Sequence, residues 1–405
     1  MTDIKCRCCD SSNLELVLDL GLQPWGNHFV PIKDAVEVPR FPLELFFCKD
    51  CFMVQIGYTV PKEFMFVEHK YLSGTTRSLR EHFDNVCKNI LTRKRFLDGD
   101  YVLDVGGNDG TFLNCFKSKD VKVLNIDSGI KQAQISNESR IPCINKFFNE
   151  ESAVEILRER GPAKIIHGSG IFFHLEELHS VFSGIGKLLD PQGMLVAEFI
   201  YLPKMIKNNA FDQIYHEHLL YYTIKSFDRL LNQHGLTIYD AELSPIHGGS
   251  CIAYIGRPES VEKTQELNDL IKKEEDEGYD RIQVYKEFAE RVSTLKERLV
   301  GIIRDLKREG KRIQALGAPV KGTTIINYCG LDSGEIDCAV EINELKCNTY
   351  IPGTRIPVFH QDRTPPPDLY LLLAWNFKEE VLEKLAGFRR NGGKVLVPIP
   401  NPEII

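Results

Sequence analysis

The chain has 405 residues, 43% hydrophobic and 26% charged, with a formal net charge of −7. That length exceeds one ordinary core and predicts two or three domains of about 100–200 residues each. The acidic balance argues against nucleic acid as the main partner, and there is no run of about 18 apolar residues to span a membrane. The first residues lack the apolar core of a signal peptide, so a cytoplasmic location is expected. In a reducing compartment the 12 cysteines are then expected to bind metal or sit buried as thiols, not to form disulfides.

Residues 1–65 are rich in Cys, Pro and Gly and lack long amphipathic periodicity. Such a segment buries little surface alone and needs a staple. Cys6 with Cys9 and Cys48 with Cys51 form two C-x2-C pairs, whose four thiolates suit one tetrahedral zinc. Cys8 is a rival ligand, though C-x2-C bites a metal better than adjacent positions do. With four protein ligands no open position remains, so the zinc is expected to be structural.

A helix is expected within residues 66–100, with Leu79, Phe83, Val86 and Ile90 on one face. Short apolar strands then alternate with helices. They begin at Tyr101–Val105 and continue through Val121–Ile126, Lys164–His167 and Met194–Phe199. This alternation predicts a mostly parallel α/β sheet with helices on both faces. Residues 261–310 are highly charged at helical spacing and read as a solvated helical connector. From Lys311 a strand, a Gly-Ala-Pro turn and a second alternating segment run to residue 405. The expected division is therefore 1–65, 66–260, 261–310 and 311–405.

The stretch Val102-Leu-Asp-Val-Gly-Gly-Asn-Asp-Gly-Thr111 sets a glycine-rich turn between a strand and a helix. Gly106 and Gly110 let the backbone approach a ligand, and Asp127 ends the next strand, where an acid binds a ribose diol. The nicotinamide pattern G-x-G-x-x-G is absent. Asp104 ahead of the turn would be unfavourable beside a pyrophosphate but suits a cationic sulfonium or amino group. S-adenosylmethionine is therefore the expected cofactor.

Residues 211–222, Phe-Asp-Gln-Ile-Tyr-His-Glu-His-Leu-Leu-Tyr-Tyr, crowd titratable groups together. His216 and His218 lack a third ligand at zinc spacing. Glu217 beside a histidine instead suits orienting a base for proton abstraction. Two other clusters bear on this stretch. Tyr71 lies just ahead of the sheet. His174 follows the fourth strand, at the carboxyl edge where open α/β sheets bind ligands.

Together these pieces resemble the sugar C-methyltransferases that act on nucleotide-linked 4-keto deoxysugars. The resemblance rests on the cysteine pairs, Gly21-Leu-Gln-Pro24, Asn27, Phe29 and Cys48-Lys-Asp-Cys-Phe-Met-Val-Gln55. It extends through Tyr71, Val105–Thr111, Ile214–His218, His247-Gly-Gly-Ser250, Gly317-Ala-Pro-Val-Lys-Gly322 and Pro352–Pro357. It implies a small zinc-binding domain, a class I methyltransferase Rossmann-like sheet and a C-terminal Rossmann-like α/β domain that helps hold the nucleotide sugar. It further implies a catalytic set of Tyr71, His174, Glu217 and His218, with His218 or Tyr71 as base. Cofactor contacts would come from Asp104, Gly106, Asn108, Gly110, Asp127 and Ser169. Substrate contacts would come from Tyr215, Tyr222, His247, Lys321 and Asn327. Two other readings remain at this point: an O- or N-methyltransferase on a sugar or small metabolite, and a non-catalytic zinc-ribbon adaptor. The first leaves the Tyr215–His218 string unexplained, and intact Gly106, Gly110 and Asp127 speak against the second.

Overall fold

The computed structural model describes residues 4–34, 37–66, 72–75 and 77–405. Tyr71 lies outside the described residues.

The N-terminal segment builds a four-stranded antiparallel sheet from Leu14–Pro24, Arg40–Cys48, Val54–Ile56 and a strand far along the chain, Leu220–Tyr221. In Arg40–Cys48 the period-two placement of Leu43, Leu45 and Phe47 turns all three inward. Leu220 pairs with Gln55 and Tyr221 with Val54, so the central part of the chain completes this sheet.

The central sheet has seven strands. Their order is Thr237–Ser244, Ser250–Gly256, Leu189–Ile200, Ala163–Ser169, Tyr101–Val105, Lys122–Ile126 and Cys143–Ile144. Tyr101–Val105 is buried along its whole length, as a strand covered on both faces must be. From this strand the chain first moves outward through Lys122–Ile126 and Cys143–Ile144, then returns to add Ala163–Ser169 on the other side. That reversal is the topological switch point where such sheets bind ligands. The neighbours are parallel until Ser250–Gly256, which inserts antiparallel between Leu189–Ile200 and Thr237–Ser244. This is the class I methyltransferase sheet. The helix before it spans Arg77–Arg93, with Leu79, Phe83, Val86 and Ile90 buried as their spacing requires.

The third sheet centres on parallel strands Ile313–Leu316, Cys338–Glu341, Leu369–Leu372, Pro357–His360 and Lys394–Val397. Its far edge is Val30–Pro31, which pairs with Thr349–Tyr350. The N-terminal segment therefore takes one strand from the central part of the chain and gives one strand to the third sheet.

The charged stretch is helical, as expected of a helical connector, but it is not solvated all round. It forms helices Gln265–Asp276 and Ile282–Arg308. Tyr285, Phe288, Val292, Leu295, Leu299 and Ile303 are buried at i, i+3, i+4 spacing. The Tyr285 and Phe47 rings lie 5.0 Å apart, and Lys286 pairs with Glu15 at 2.5 Å. Charge on the outer face masks an apolar stripe that buttresses the N-terminal sheet.

Candidate active site

The Sγ atoms of Cys6, Cys9, Cys48 and Cys51 all lie within 4.8 Å of one another. Cys6 and Cys51 are 3.4 Å apart, and Cys9 and Cys48 are 3.7 Å apart. A tetrahedral ion with Zn–S bonds of about 2.3 Å sets its sulfurs about 3.8 Å apart, so the four thiols fit zinc. Cys8 is not one of these four: Gln233 Nε2 donates to its carbonyl at 3.1 Å and lies 3.6 Å from its sulfur.

The glycine turn sits at the carboxyl end of Tyr101–Val105. Gly106 and Gly110 have φ of +66° and +78°, and Asn108 also adopts a left-handed φ of 52°. At Gly107 a Cβ would come within 2.4 Å of Asn125 Oδ1, so the turn packs tightly on its support. Asp127 accepts from Asn108 N at 2.8 Å and Gly129 N at 2.7 Å, and burial pushes its carboxyl up. Asp104 is buried, its Oδ1 lies 2.7 Å from His167 Nδ1, and that ring stacks on Phe112 at 3.5 Å. Asp104 braces the turn from beneath.

The histidine cluster lies on the segment 211–222 and the loop after Ala163–Ser169. His218 is buried, and its Nδ1 lies 2.8 Å from the Gln213 carbonyl oxygen. A carbonyl only accepts, so Nδ1 carries the hydrogen and Nε2 the lone pair. Burial holds the His218 pKa well below the usual value, and the fields of His174, His247 and Lys321 push the same way. Its ring packs 3.8 Å from Tyr215, 4.7 Å from Phe173 and 5.1 Å from His174. His174 Nδ1 donates to the Glu217 carbonyl.

Glu217 does not orient His218, contrary to the expectation from their adjacency. Its Oε1 accepts from Trp25 Nε1 at 2.9 Å and Asn27 Nδ2 at 2.8 Å, both on the N-terminal segment. His216 Nε2 donates to the Pro42 carbonyl at 3.3 Å, a tie to the same segment.

Lys321 lies on the helix Val320–Tyr328, with Nζ against Asn376 Oδ1 and 4.9 Å from the Trp375 ring centre. Burial lowers its pKa, and Asp212 opposes the shift. Asp212 itself is pushed up to about 6 by burial, against Lys321 and a 2.6 Å bond from Trp375 Nε1. His247 adopts φ 56° beside Gly248 and Gly249, and its carbonyl accepts from Gln213 Nε2 at 2.9 Å.

Two expected substrate contacts are not brought here. Tyr222 is fully buried and donates to the Phe172 carbonyl at 2.7 Å. Asn327 donates to the Thr323 and Pro352 carbonyls at 2.9 and 3.0 Å, closing a turn. Both side chains are occupied by backbone.

Three families match successive parts of the chain: a zinc binding domain at residues 6–66, a methyltransferase domain at 79–241 and a C-methyltransferase C-terminal domain at 245–400. The C-methyltransferase NovU of Streptomyces niveus is 30% identical over 405 residues, which is 99% of this chain and 96% of that protein. The chain belongs to this C-methyltransferase family. Solved structures resemble it more distantly. Magnesium protoporphyrin IX methyltransferase of Synechocystis PCC 6803, with SAM bound, is 14% identical over 44% of this chain and 79% of its own, at TM-score 0.33. An S-adenosylmethionine-dependent methyltransferase of Clostridium acetobutylicum is 11% identical over 44% and 92%, at 0.35. Scores this low carry no argument, and the strand order establishes the fold.

A C-methyltransferase of this family takes its methyl group from S-adenosylmethionine, and the left-handed glycine turn with Asp127 beside it fits that cofactor. The structure also adds residues that the sequence does not single out. Glu198, buried at the end of the strand Leu189–Ile200, accepts from Ser169 Oγ at 2.7 Å and lies 3.0 Å from His82 Nε2. Burial would raise this carboxyl, but His82 and Ser169 outweigh it and hold the pKa below the usual value. A lone acid inside an apolar run was the available signal.

Proposed function

We propose that this C-methyltransferase methylates the carbon beside the ketone of a nucleotide-linked 4-keto deoxysugar, at C3, through an enolate. The observation that carries the reading is a buried His218 whose Nδ1 is held by the Gln213 carbonyl, which leaves the lone pair on Nε2, in a ring packed beside Tyr215 and His174. A hydrogen next to a ketone is acidic because the enolate is delocalised, and a base held in reach of it removes it. Methylation of oxygen or nitrogen needs no carbon acid and leaves this cluster without a task. His218 Nε2 takes the proton, with Tyr71 as the other candidate base. The enolate oxygen is met by a donor, from His174 or the nearby Tyr215 hydroxyl. Glu217 completes the catalytic set. When bound, S-adenosylmethionine supplies an electrophilic methyl, and the remaining acceleration comes from alignment.

Gly106, Asn108, Gly110, Asp127 and Ser169 hold the cofactor in this reading. Tyr215, His247 and Lys321 contact the substrate, and residues 311–405 receive its nucleotide. NMR of the product from a panel of nucleotide-linked keto sugars and 13C-methyl donor tests it: the label must be bonded to a ring carbon, and a methoxy signal overturns the proposal. Asp127→Ala should weaken S-adenosylhomocysteine binding about 10–100-fold by titration calorimetry, since a charged acceptor is lost. An unchanged affinity removes Asp127 from the cofactor site.

A further inference from the structure

The tie between Glu217 and the zinc-bearing segment is the feature that neither the sequence nor the methyltransferase fold requires. Trp25 Nε1 and Asn27 Nδ2 both donate to Oε1 of Glu217, and among the described residues no donor is bonded to Oε2. Glu217 is only 5% exposed, yet Oε2 is not among the fully buried atoms that lack a partner, so this oxygen is the part of the carboxylate that a ligand can reach. The segment carrying the two donors is itself fixed. It leaves the strand Leu14–Pro24 and enters Val30–Pro31, which is paired in the C-terminal sheet. Between them, Gly26 packs so closely on Val320 that a Cβ would lie 2.6 Å from its Cγ1, and Thr323 Oγ1 donates to the Gly26 carbonyl at 3.3 Å. The Trp25 ring is wedged 4.9 Å from Phe64. A fork held at both ends can set the direction of what it grips.

We infer that Trp25 and Asn27 are positioning residues for methyl transfer: by gripping one oxygen of Glu217 they present the other to the substrate. This rests on the catalytic role proposed above for Glu217. The two N–H groups also favour the ionised carboxylate, as does the charge of Lys346, against burial that raises its pKa. Loss of either donor should therefore raise the pH at which Glu217 loses its proton, a change that loss of packing alone does not make.

The chain has two tryptophans, and each indole N–H donates to a buried carboxylate, Trp25 to Glu217 and Trp375 to Asp212. Nitrogen-15 NMR of the full-length, zinc-loaded protein thus gives one indole signal for each acid. The Trp25 signal should titrate with pH in the native protein and cease to do so in Glu217→Gln, while the Trp375 signal continues. In Asn27→Leu the Trp25 midpoint should rise by about one pH unit. With a nucleotide-linked 4-keto-6-deoxyhexose, Asn27→Leu and Trp25→Phe should lower kcat about 10–100-fold, while S-adenosylhomocysteine affinity and zinc content stay native. A Trp25 signal that behaves alike in the native protein and Glu217→Gln overturns the inference, as does Asn27→Leu with native midpoint and kcat. The NMR comparison needs no substrate, so it decides the positioning claim even if product analysis sinks the sugar reading.

Discussion

Replacing His218 by alanine should abolish methyl transfer, lowering kcat by about 10³-fold or more, while S-adenosylhomocysteine still binds. The separation follows from the geometry. His218 is held by the Gln213 carbonyl and packed among Tyr215, Phe173 and His174, on a segment apart from the glycine turn and Asp127. A loss of about 10³ corresponds to about 4 kcal/mol of transition-state stabilisation, within the range of a general base. If the base forms an enolate, exchange of the substrate's α-hydrogen with solvent deuterium should vanish along with methyl transfer. The pH profile has a definite sign. Burial depresses the His218 pKa, so the unprotonated base persists to more acid pH than an ordinary histidine allows. The acid limb of kcat should accordingly lie below the usual histidine range. Loss of cofactor binding in the alanine variant, measured by calorimetry, would show that His218 supports the fold and is not the base.

What the sequence made legible was local. Tyr101–Val105 is a continuous apolar run because both faces of a central strand are covered, and C-x2-C spacing records the bite of one metal knuckle. The glycine turn was readable for the same reason, since its backbone demands concern its own residues. Contacts across the chain were not. Trp25 and Asn27 meet Glu217 from some 190 residues away, and Glu198 meets His82 from 116 away. Nothing in either local pattern announces the partner. Adjacency also misled: Glu217 and His218 are neighbours in the chain, yet one side chain faces the N-terminal segment and the other Gln213. The edge strand Val30–Pro31 is two residues long, too short for any periodicity to reveal it. The stripe from Tyr285 to Ile303 was present in the sequence, but the surrounding charge hid it.

Removing zinc should disable the enzyme through its active site as well as through stability. Structural zinc contributes on the order of 10–16 kcal/mol to the folding of small domains, comparable with the whole stability of an ordinary domain. The segment bearing Cys6, Cys9, Cys48 and Cys51 has a modest core of its own, drawn from residues such as Leu43, Leu45, Phe47, Met53, Val54 and Ile56. Cys51→Ser leaves three thiolates and should release the metal, lowering the melting temperature of the chain. The segment is not detachable, so the damage travels. It pairs Val54–Ile56 with Leu220–Tyr221, bonds Pro42 to His216 and grips Glu217 with Trp25 and Asn27. Those ties hold the loop that carries His218. The glycine turn, by contrast, is braced within the central sheet by the Ile126 carbonyl and Asp127. Chelation at a temperature where the central sheet survives should therefore abolish turnover while S-adenosylhomocysteine binding persists. Elemental analysis should find about one zinc per chain before treatment. A metal-free protein with native melting and native turnover would show that the four thiols need no ion.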